Sequence, residues 1–200
     1  MRNAENIREV EALGIDMMGF IFYPKSSRYV CERPTFLPQK CKRVGVFVDA
    51  TIENIHQHIA DYCLDVIQFH GHESPDFIRQ FRSLCGDSIA TVKAFNIAMK
   101  EDLKAIAPYA GLVDYFLFDT KGPSAGGNGE KFDWSILDAY DGDTPFLLSG
   151  GIGPDDAATL NSQLSTLNSH CIGIDLNSRF EIEPGIKDII KLKTFLNYGK

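Results

Sequence analysis

The hydrophobic positions of this 200-residue chain switch repeatedly between helical spacing and short, continuous apolar runs. Residues 3–13 predict a helix, because apolar side chains recur on one face and Gly14 can end the helix. Strands are predicted at 17–22, 43–48, 65–69, 89–95, 115–119, 146–149 and 172–176. Further helices are predicted at 52–62, 75–84 and 100–109, from Trp134, from Pro154, and from Ile186 to about Leu196. Helices and strands therefore alternate along the whole chain.

The predicted strands are continuously apolar, as in 115–118, which is typical of a parallel sheet buried on both faces. Repeated βα units leave two architectures, an open doubly wound sheet and a closed (β/α)8 TIM barrel. The barrel is favoured because no G-x-G-x-x-G follows the first strand and candidate functional residues follow several different strands. The pattern supplies seven of the eight strands and begins with a helix. We expect one α/β TIM-barrel domain over residues 1–200, with its first strand missing.

Composition narrows the ligands that such a barrel could take. Twenty Lys and Arg against 27 Asp and Glu give a net charge of −7, and 44% of the residues are hydrophobic. A disordered chain is excluded, and the absence of a basic run argues against nucleic acid and anionic membranes as partners. No apolar run approaches the roughly 20 residues of a membrane span, and the first residues lack a signal-peptide pattern, which predicts a cytoplasmic protein. Any anionic ligand needs local cationic or amide groups.

A glycine-rich turn is the first candidate for such a group. Gly150 and Gly151 follow a predicted strand and precede a helix opened by Pro154. Backbone amides of such a loop can approach a ligand closely, and a helix amino terminus favours an anion. The alternative is a tight turn that only requires positive φ. Asn177 and Ser178 follow the next strand, and phosphate sites of barrels are commonly built from the loops after the last two strands, which favours a phosphate site.

Two charged residues follow other strands. Asp119 ends an apolar strand just before the glycine-rich segment 122–129. A carboxyl group at such a position can act as a general acid beside a mobile loop, or it can simply cap a turn. Arg28 follows the first strand, where a guanidinium can bind a carboxylate through two hydrogen bonds. An ordinary surface arginine is the alternative.

Histidines and cysteines add little chemistry by spacing alone. His70 and His72 are two positions apart but lack a third ligand at a recognisable distance, so no metal site is predicted. The five cysteines are scattered and form no C-x-x-C pair. We expect reduced, mostly buried thiols.

Seven short segments stand in the same order as the motifs of one enzyme family. They are 18–30, 44–48, 66–71, 117–120, 126–129 with 132–134, 149–152 and 184–188, which read MGFIFYPKSSRYV, VGVFV, VIQFHG, LFDT, GGNG with FDW, SGGI and PGIKD. They span essentially the whole chain. Together they resemble phosphoribosylanthranilate isomerase.

The resemblance implies a (β/α)8 enzyme of tryptophan biosynthesis that needs no cofactor. Its substrate, N-(5′-phosphoribosyl)anthranilate, carries a phosphate and a carboxylate and undergoes an Amadori rearrangement to a 1-deoxyribulose. Asp119 matches the general acid that protonates the ribose ring oxygen, and Arg28 matches the arginine that holds the carboxylate. Gln68 and His70 match positions that line the pocket. The positions implied for the phosphate are Gly150, Gly151, Asn177 and Ser178.

The chain also departs from the family pattern. Family members begin with a strand similar to Lys-Ile-Cys-Gly, whose cysteine is the general base, and Met1 matches a position after that strand. None of the chain's cysteines falls at the matching position: Cys31, Cys41, Cys63, Cys85 and Cys171. Arg179 replaces a glycine of the family's Ser-Ser-Gly motif, where it adds a positive charge or crowds the loop.

These departures lead to two hypotheses. The first is a truncated isomerase with little or no activity, and the second is a non-catalytic barrel that binds phosphosugars or other anions. Because a barrel without one strand has two open edges, we also expect marginal stability or a homo-oligomer that covers them.

Overall fold

Seven parallel strands form one sheet in the order of the chain. The computed structural model describes residues 1–120, 134–164 and 170–197. The strands are β1 (Met17–Ile21), β2 (Lys42–Phe47), β3 (Val66–Phe69), β4 (Ala90–Ile97), β5 (Tyr115–Thr120), β6 (Phe146–Ser149) and β7 (Cys171–Ile174). Each predicted strand is present, and the order follows the expected βα alternation.

Helices connect most of these strands. The α-helices are α1 (Ala4–Glu11), α2 (Ile52–Tyr62), α3 (Pro75–Cys85), α4 (Ala157–Leu164) and α5 (Ile189–Asn197). Short 3₁₀ helices span Lys100–Tyr109, Trp134–Ala139, Pro154–Asp156 and Ser178–Phe180. A small antiparallel hairpin, β8 (Glu181–Glu183) with β9 (Ile186–Lys187), precedes α5. No helix in the described ranges has both the length and the apolar character that a membrane crossing requires.

Local sequence signals explain where the longer helices begin. The side chains of Asn3, Thr51 and Ser74 each accept a hydrogen bond from a backbone amide in the first turn of α1, α2 and α3. The segment 100–109 was expected to be a regular helix and is a 3₁₀ helix that contains Pro108. Proline lacks the amide hydrogen that an α-helix needs and restricts the residue before it, which disfavours regular α-helical bonding at the end of this segment.

The sheet has an apolar cluster on each face. Between the sheet and the helices lie large aromatic side chains, including Phe20, Phe69 and Phe116, which are fully buried. The opposite face is the inner face of the barrel. It carries a cluster of smaller side chains: Val44, Val66, Val92, Ala94 and Leu117. Side chains alternate between the faces, so a residue two positions after one of these points to the same face. This alternation sets which polar residues reach the interior at the carboxyl ends of the strands.

Strands β1 and β7 are the two edges of the sheet. On this side the amine of Met1 donates a hydrogen bond of 2.6 Å to the carbonyl oxygen of Gly19 on β1. The side chain of Asn6 on α1 bonds both the amide and the carbonyl of Lys187 on β9, at 2.7 and 2.9 Å. The first residues and the hairpin therefore meet beside the edge of β1.

The expectation of mostly buried cysteines is wrong. Cys41 is buried, Cys85 and Cys171 are half-buried, and Cys31 and Cys63 are exposed. Cys63 caps the end of α2 in a left-handed conformation, with φ of 49°, and its side chain is exposed. Burial raises the pKa of the Cys41 thiol to about 11, which keeps it protonated at neutral pH.

Candidate active site

An aspartate and a histidine meet at the carboxyl ends of β5 and β3. His70 Nε2 lies 3.9 Å from Asp119 Oδ2, and the Asp119 side chain is 15% exposed. Gln68, on the same face of β3, places its amide nitrogen 2.8 Å from His70 Nδ1. The structure thus brings together three of the predicted site residues in one polar row.

Arg28 is engaged by a carboxylate of the chain itself. Its Nε and Nη2 atoms donate to both oxygens of Glu181 on β8, at distances between 2.6 and 3.0 Å. Nothing in the described part of the chain bonds Arg28 Nη1. The guanidinium is therefore held along its Nε–Nη2 edge by Glu181.

Glu181 is the centre of this arrangement, and no local pattern in the sequence predicts it. Its side chain is 4% exposed, and it also accepts hydrogen bonds from Lys187 Nζ at 3.4 Å and from the amide of Gly185 at 3.1 Å. Burial alone would raise the pKa of Glu181. The hydrogen bond from Arg28 and the charge of Lys187 outweigh burial and hold that pKa below its usual range.

The geometry of the glycine turn is compatible with both interpretations of the sequence, a phosphate site and a tight turn that requires positive φ. Gly150 and Gly151 have φ of 92° and 68°, which side chains rarely allow. The helix expected from Pro154 starts as the 3₁₀ turn Pro154–Asp156. The amide of Gly153 donates to the Asp156 carboxylate at 2.8 Å, so this amide is already used within the turn. An anion here would rely on the other groups of the loop.

One cation lies beside that turn, and a second lies beside the loop that follows β7. Arg179 Nη1 donates to the carbonyl oxygen of Gly151 at 3.1 Å. Lys187 Nζ donates to the Asn177 side chain at 3.0 Å and to its carbonyl oxygen at 3.1 Å, while Ser178 begins a 3₁₀ turn. Lys187 was missed in the sequence because it follows β7 by many residues and reaches back through the hairpin.

A further polar pair connects β6 and the end of β7. Ser149 Oγ donates to Asp175 Oδ2 at 2.9 Å. Ser149 is two positions after Leu147, which packs on the inner cluster, so the pair lies on the inner face of the sheet. Asp175 was missed because a lone aspartate after a strand is common.

These features are typical of a TIM-barrel enzyme. A parallel βα sheet carries an aspartate–histidine pair, a carboxylate-binding arginine and a glycine turn with nearby cations, all after the carboxyl ends of strands. That is where TIM-barrel enzymes place their active sites.

The sequence profile described as N-(5'phosphoribosyl)anthranilate (PRA) isomerase matches residues 1–198. The chain therefore belongs to the N-(5'-phosphoribosyl)anthranilate isomerase family, the isomerases of tryptophan biosynthesis, and the resemblance seen in the sequence is confirmed. The N-(5'-phosphoribosyl)anthranilate isomerase of Phocaeicola vulgatus is 47% identical over 200 residues, which cover all of this chain and 95% of the relative.

Solved structures agree with this assignment. The dimeric phosphoribosyl anthranilate isomerase of Thermotoga maritima matches with a TM-score of 0.80 and 29% identity, covering 100% of this chain and 95% of that one. A phosphoribosyl anthranilate isomerase in complex with reduced 1-(o-carboxyphenylamino)-1-deoxyribulose 5-phosphate matches with a TM-score of 0.78 and 27% identity, covering 100% and 94%. The predicted TIM-barrel class, with seven strands present, is confirmed.

Proposed function

We propose that the carboxyl end of this barrel binds N-(5'-phosphoribosyl)anthranilate and rearranges it to the 1-deoxyribulose isomer without a cofactor. The observation that carries the proposal is the approach of His70 to Asp119, 3.9 Å apart, at the ends of β3 and β5. It supplies an acid–imidazole pair at the end of the barrel where such enzymes act.

The two negative groups of the substrate fit the two cationic regions. Arg28 would bind the anthranilate carboxylate through Nη1 while Glu181 holds its other side. The phosphate would sit at the glycine turn, bound by groups of Gly150 and Gly151 and of the residues after β7, Asn177 and Ser178. Arg179 and Lys187 supply the positive charge that an acidic protein needs locally.

Asp119 would act as the general acid. Its proton goes to the ribose ring oxygen as the bond between that oxygen and C1' breaks, and the nitrogen lone pair forms the Schiff base. Loss of the C2' proton to a base then gives the enamine, which tautomerises to the aminoketose. Gln68 and His70 would line the pocket beside Asp119.

The base for the second step has no match among the cysteines of these 200 residues. Cys41, Cys63 and Cys85 precede strands β2, β3 and β4, and Cys171 begins β7, so these four lie at the opposite end of the sheet from Asp119. This placement supports the second candidate, a barrel that binds the phosphosugar without turning it over. The two functions share the binding site and differ in turnover.

Calorimetric titration with the reduced deoxyribulose phosphate analogue tests the binding site. The unchanged chain should bind it, Arg28→Met should weaken binding by at least about tenfold, and Asp119→Asn should retain it. Arg79→Met is the matched control, because Arg79 is an exposed arginine of α3 that bonds Asp76 at the surface. Failure of the unchanged chain to bind, or equal binding by Arg28→Met, would contradict the proposal.

Three further expectations concern the oligomeric state, the number of domains and the location of the protein. A second copy of the chain is proposed to cover the edges of β1 and β7, and the dimeric Thermotoga maritima relative supports the proposal. Light scattering after size-exclusion chromatography should give twice the monomer mass of 22.3 kDa. A single domain over residues 1–200 and a cytoplasmic location stay predictions.

A further inference from the structure

We propose that Lys93 and Glu73 are positioning residues that fix the imidazole of His70 beside Asp119. The proposal rests on the function proposed above, since it assigns His70 a place in that site. Lys93 does not point into the barrel interior, because it alternates on β4 with the inner residues Val92 and Ala94.

The pair is buried to a degree that requires explanation. The side chains of Lys93 and Glu73 are 3% and 2% exposed, and Nζ lies 3.3 Å from Oε2. Burial lowers the pKa of Lys93, and the adjacent Glu73 carboxylate opposes that shift. Taking two charges out of water is costly, and their mutual attraction offsets that cost only when further hydrogen bonds are made. The further hydrogen bonds of Lys93 and Glu73 go to the backbone around His70.

Lys93 and Glu73 bind the backbone on both sides of His70. Lys93 Nζ donates to the carbonyl oxygen of Gly71 at 2.7 Å and to that of Phe69 at 3.4 Å. Glu73 Oε2 accepts from the amide of Gly71 at 3.0 Å. The peptide groups before and after His70 are therefore held by one ion pair, while the amide of His70 itself bonds Phe47 on β2 at 2.8 Å.

The Glu73 carboxylate also binds the loop that follows β2. Glu73 Oε1 accepts from the amide of Asp49 at 2.9 Å, and Asp49 Oδ1 accepts from the amide of His72 at 2.6 Å. A side chain at Gly71 would collide with the Asp49 carboxylate, so the two loops require glycine there. Tyr109 Oη donates to the carbonyl oxygen of Glu73 at 3.0 Å, which adds the segment after β4.

This rigid backbone determines which nitrogen of His70 faces the acid. The Gln68 amide nitrogen, 2.8 Å from Nδ1, can only donate, so Nδ1 accepts and the neutral ring carries its proton on Nε2. Nε2 is the atom directed at Asp119 Oδ2. A donor in this position favours the carboxylate that Asp119 becomes after it gives up its proton.

Nitrogen NMR of protein labelled with ¹⁵N-histidine, recorded at pH 8, measures the tautomer directly. The unchanged chain should show His70, assigned by its loss in His70→Asn, as one tautomer protonated at Nε2. In Lys93→Met and in Glu73→Gln, the Nδ1 and Nε2 shifts should converge as the two tautomers mix. Glu73→Gln keeps the shape of the side chain and one acceptor, so it gives an answer even if Lys93→Met does not fold.

Thr91→Val is the matched control. Thr91 is fully buried on the same face of β4, but it bonds Asp114 and Arg82 at the other end of the strand. It should leave the His70 spectrum unchanged, and it should weaken binding of the reduced analogue far less than the about tenfold loss expected for Lys93→Met.

The outcomes separate the two proposals. An unchanged His70 tautomer in folded Lys93→Met and Glu73→Gln would overturn the positioning role, as would an equal change in Thr91→Val. If the analogue does not bind the unchanged chain, the substrate assignment fails, and the NMR comparison still decides whether Lys93 and Glu73 position His70.

Discussion

The two sides of the barrel are held together in different ways. On one side, strands β2 to β5 pair in sequence order, and the Lys93–Glu73 pair fixes the loops at their carboxyl ends. On the other side, β1 and β7 are edges, and contacts come from distant parts of the chain. Arg28 and Glu181 are 153 positions apart, and Asn6 and Lys187 are 181 apart.

This difference in contacts makes the side of β1 and β7 the less stable side of the molecule. Between β2 and β5, loss of one side-chain contact leaves the backbone ladder intact. Between β1 and β7 no strand pairing is described, and the ion pairs and hydrogen bonds add to the apolar core that both strands share. Because Arg28 and Lys187 make these contacts and also serve the proposed substrate anions directly, their substitution should lower binding and stability together.

The largest expected effect is on turnover, and it concerns the side of β1 and β7. A protein made of these 200 residues alone should isomerise the substrate very slowly, because no cysteine matches the implied base, and a positioned base contributes about 10²–10⁴-fold. Adding a Lys-Ile-Cys-Gly strand before Met1 should restore turnover, measured by the loss of anthranilate-type fluorescence. The Met1 amine already bonds Gly19 on β1, so the added strand would continue a pairing that exists.

The control for this extension is the same strand with alanine in place of its cysteine. It should cover the edge and raise stability without restoring turnover. Equal turnover with cysteine and with alanine, or no gain from either, would contradict the assignment of the missing base.

Removing a buried carboxylate should have the next largest effect. Glu181→Ala leaves Arg28 and Lys187 without their buried partner and should lower the free energy of unfolding by about 3 kcal/mol. Urea unfolding measures this, and Glu183→Ala is the control on the same hairpin, since its side chain is 64% exposed. The control should change stability by less than about 0.5 kcal/mol. Equal losses in both variants would mean that the hairpin, and not the ion pair, holds this side.

The same two sides differ in how far the sequence predicts them. Apolar runs predicted strand 43–48, and the structure has Lys42–Phe47, because the hydrophobic pattern alone decides which residues a buried strand contains. Asp119 was predicted from its place at the end of a strand and His70 from the family resemblance, and the structure has the two side chains at the same end of the sheet. The partner of Arg28 could not be predicted, since no local pattern relates residues 153 positions apart.

Lys93 shows what a closer look at the sequence would have found. It stands inside the apolar strand predicted at 89–95, and a charged residue there must be paired when the strand is buried. Its partner Glu73 lies three positions after His70, in the segment that carries the predicted site. The identity of the pair, however, depends on the turn after β3, which only the folded backbone defines.

Acid should weaken the contacts that Glu181 makes on the side of β1 and β7. The pKa of Glu181 is lowered in the folded state by Arg28 and Lys187, which together outweigh burial. Its contribution to stability is therefore complete above the unfolded pKa of about 4.3 and is lost as pH falls through the lower folded pKa. The difference in unfolding free energy between the unchanged chain and Glu181→Gln should shrink between pH 6 and pH 3. A constant difference would show that charge at Glu181 does not matter.

The smallest effect distinguishes two roles for Arg179. Its guanidinium packs on the glycine turn, bonding Gly151, and a side chain at Gly153 would come within 2.6 Å of its Nε. If it adds charge for the phosphate, Arg179→Gly should weaken binding of the reduced analogue about fivefold, or about 1 kcal/mol, as for an exposed ion pair. The loss should vanish with the analogue that lacks the phosphate. Tighter binding by Arg179→Gly would instead show that the arginine crowds the turn, because glycine would then open the amides of Gly150 and Gly151 to the phosphate.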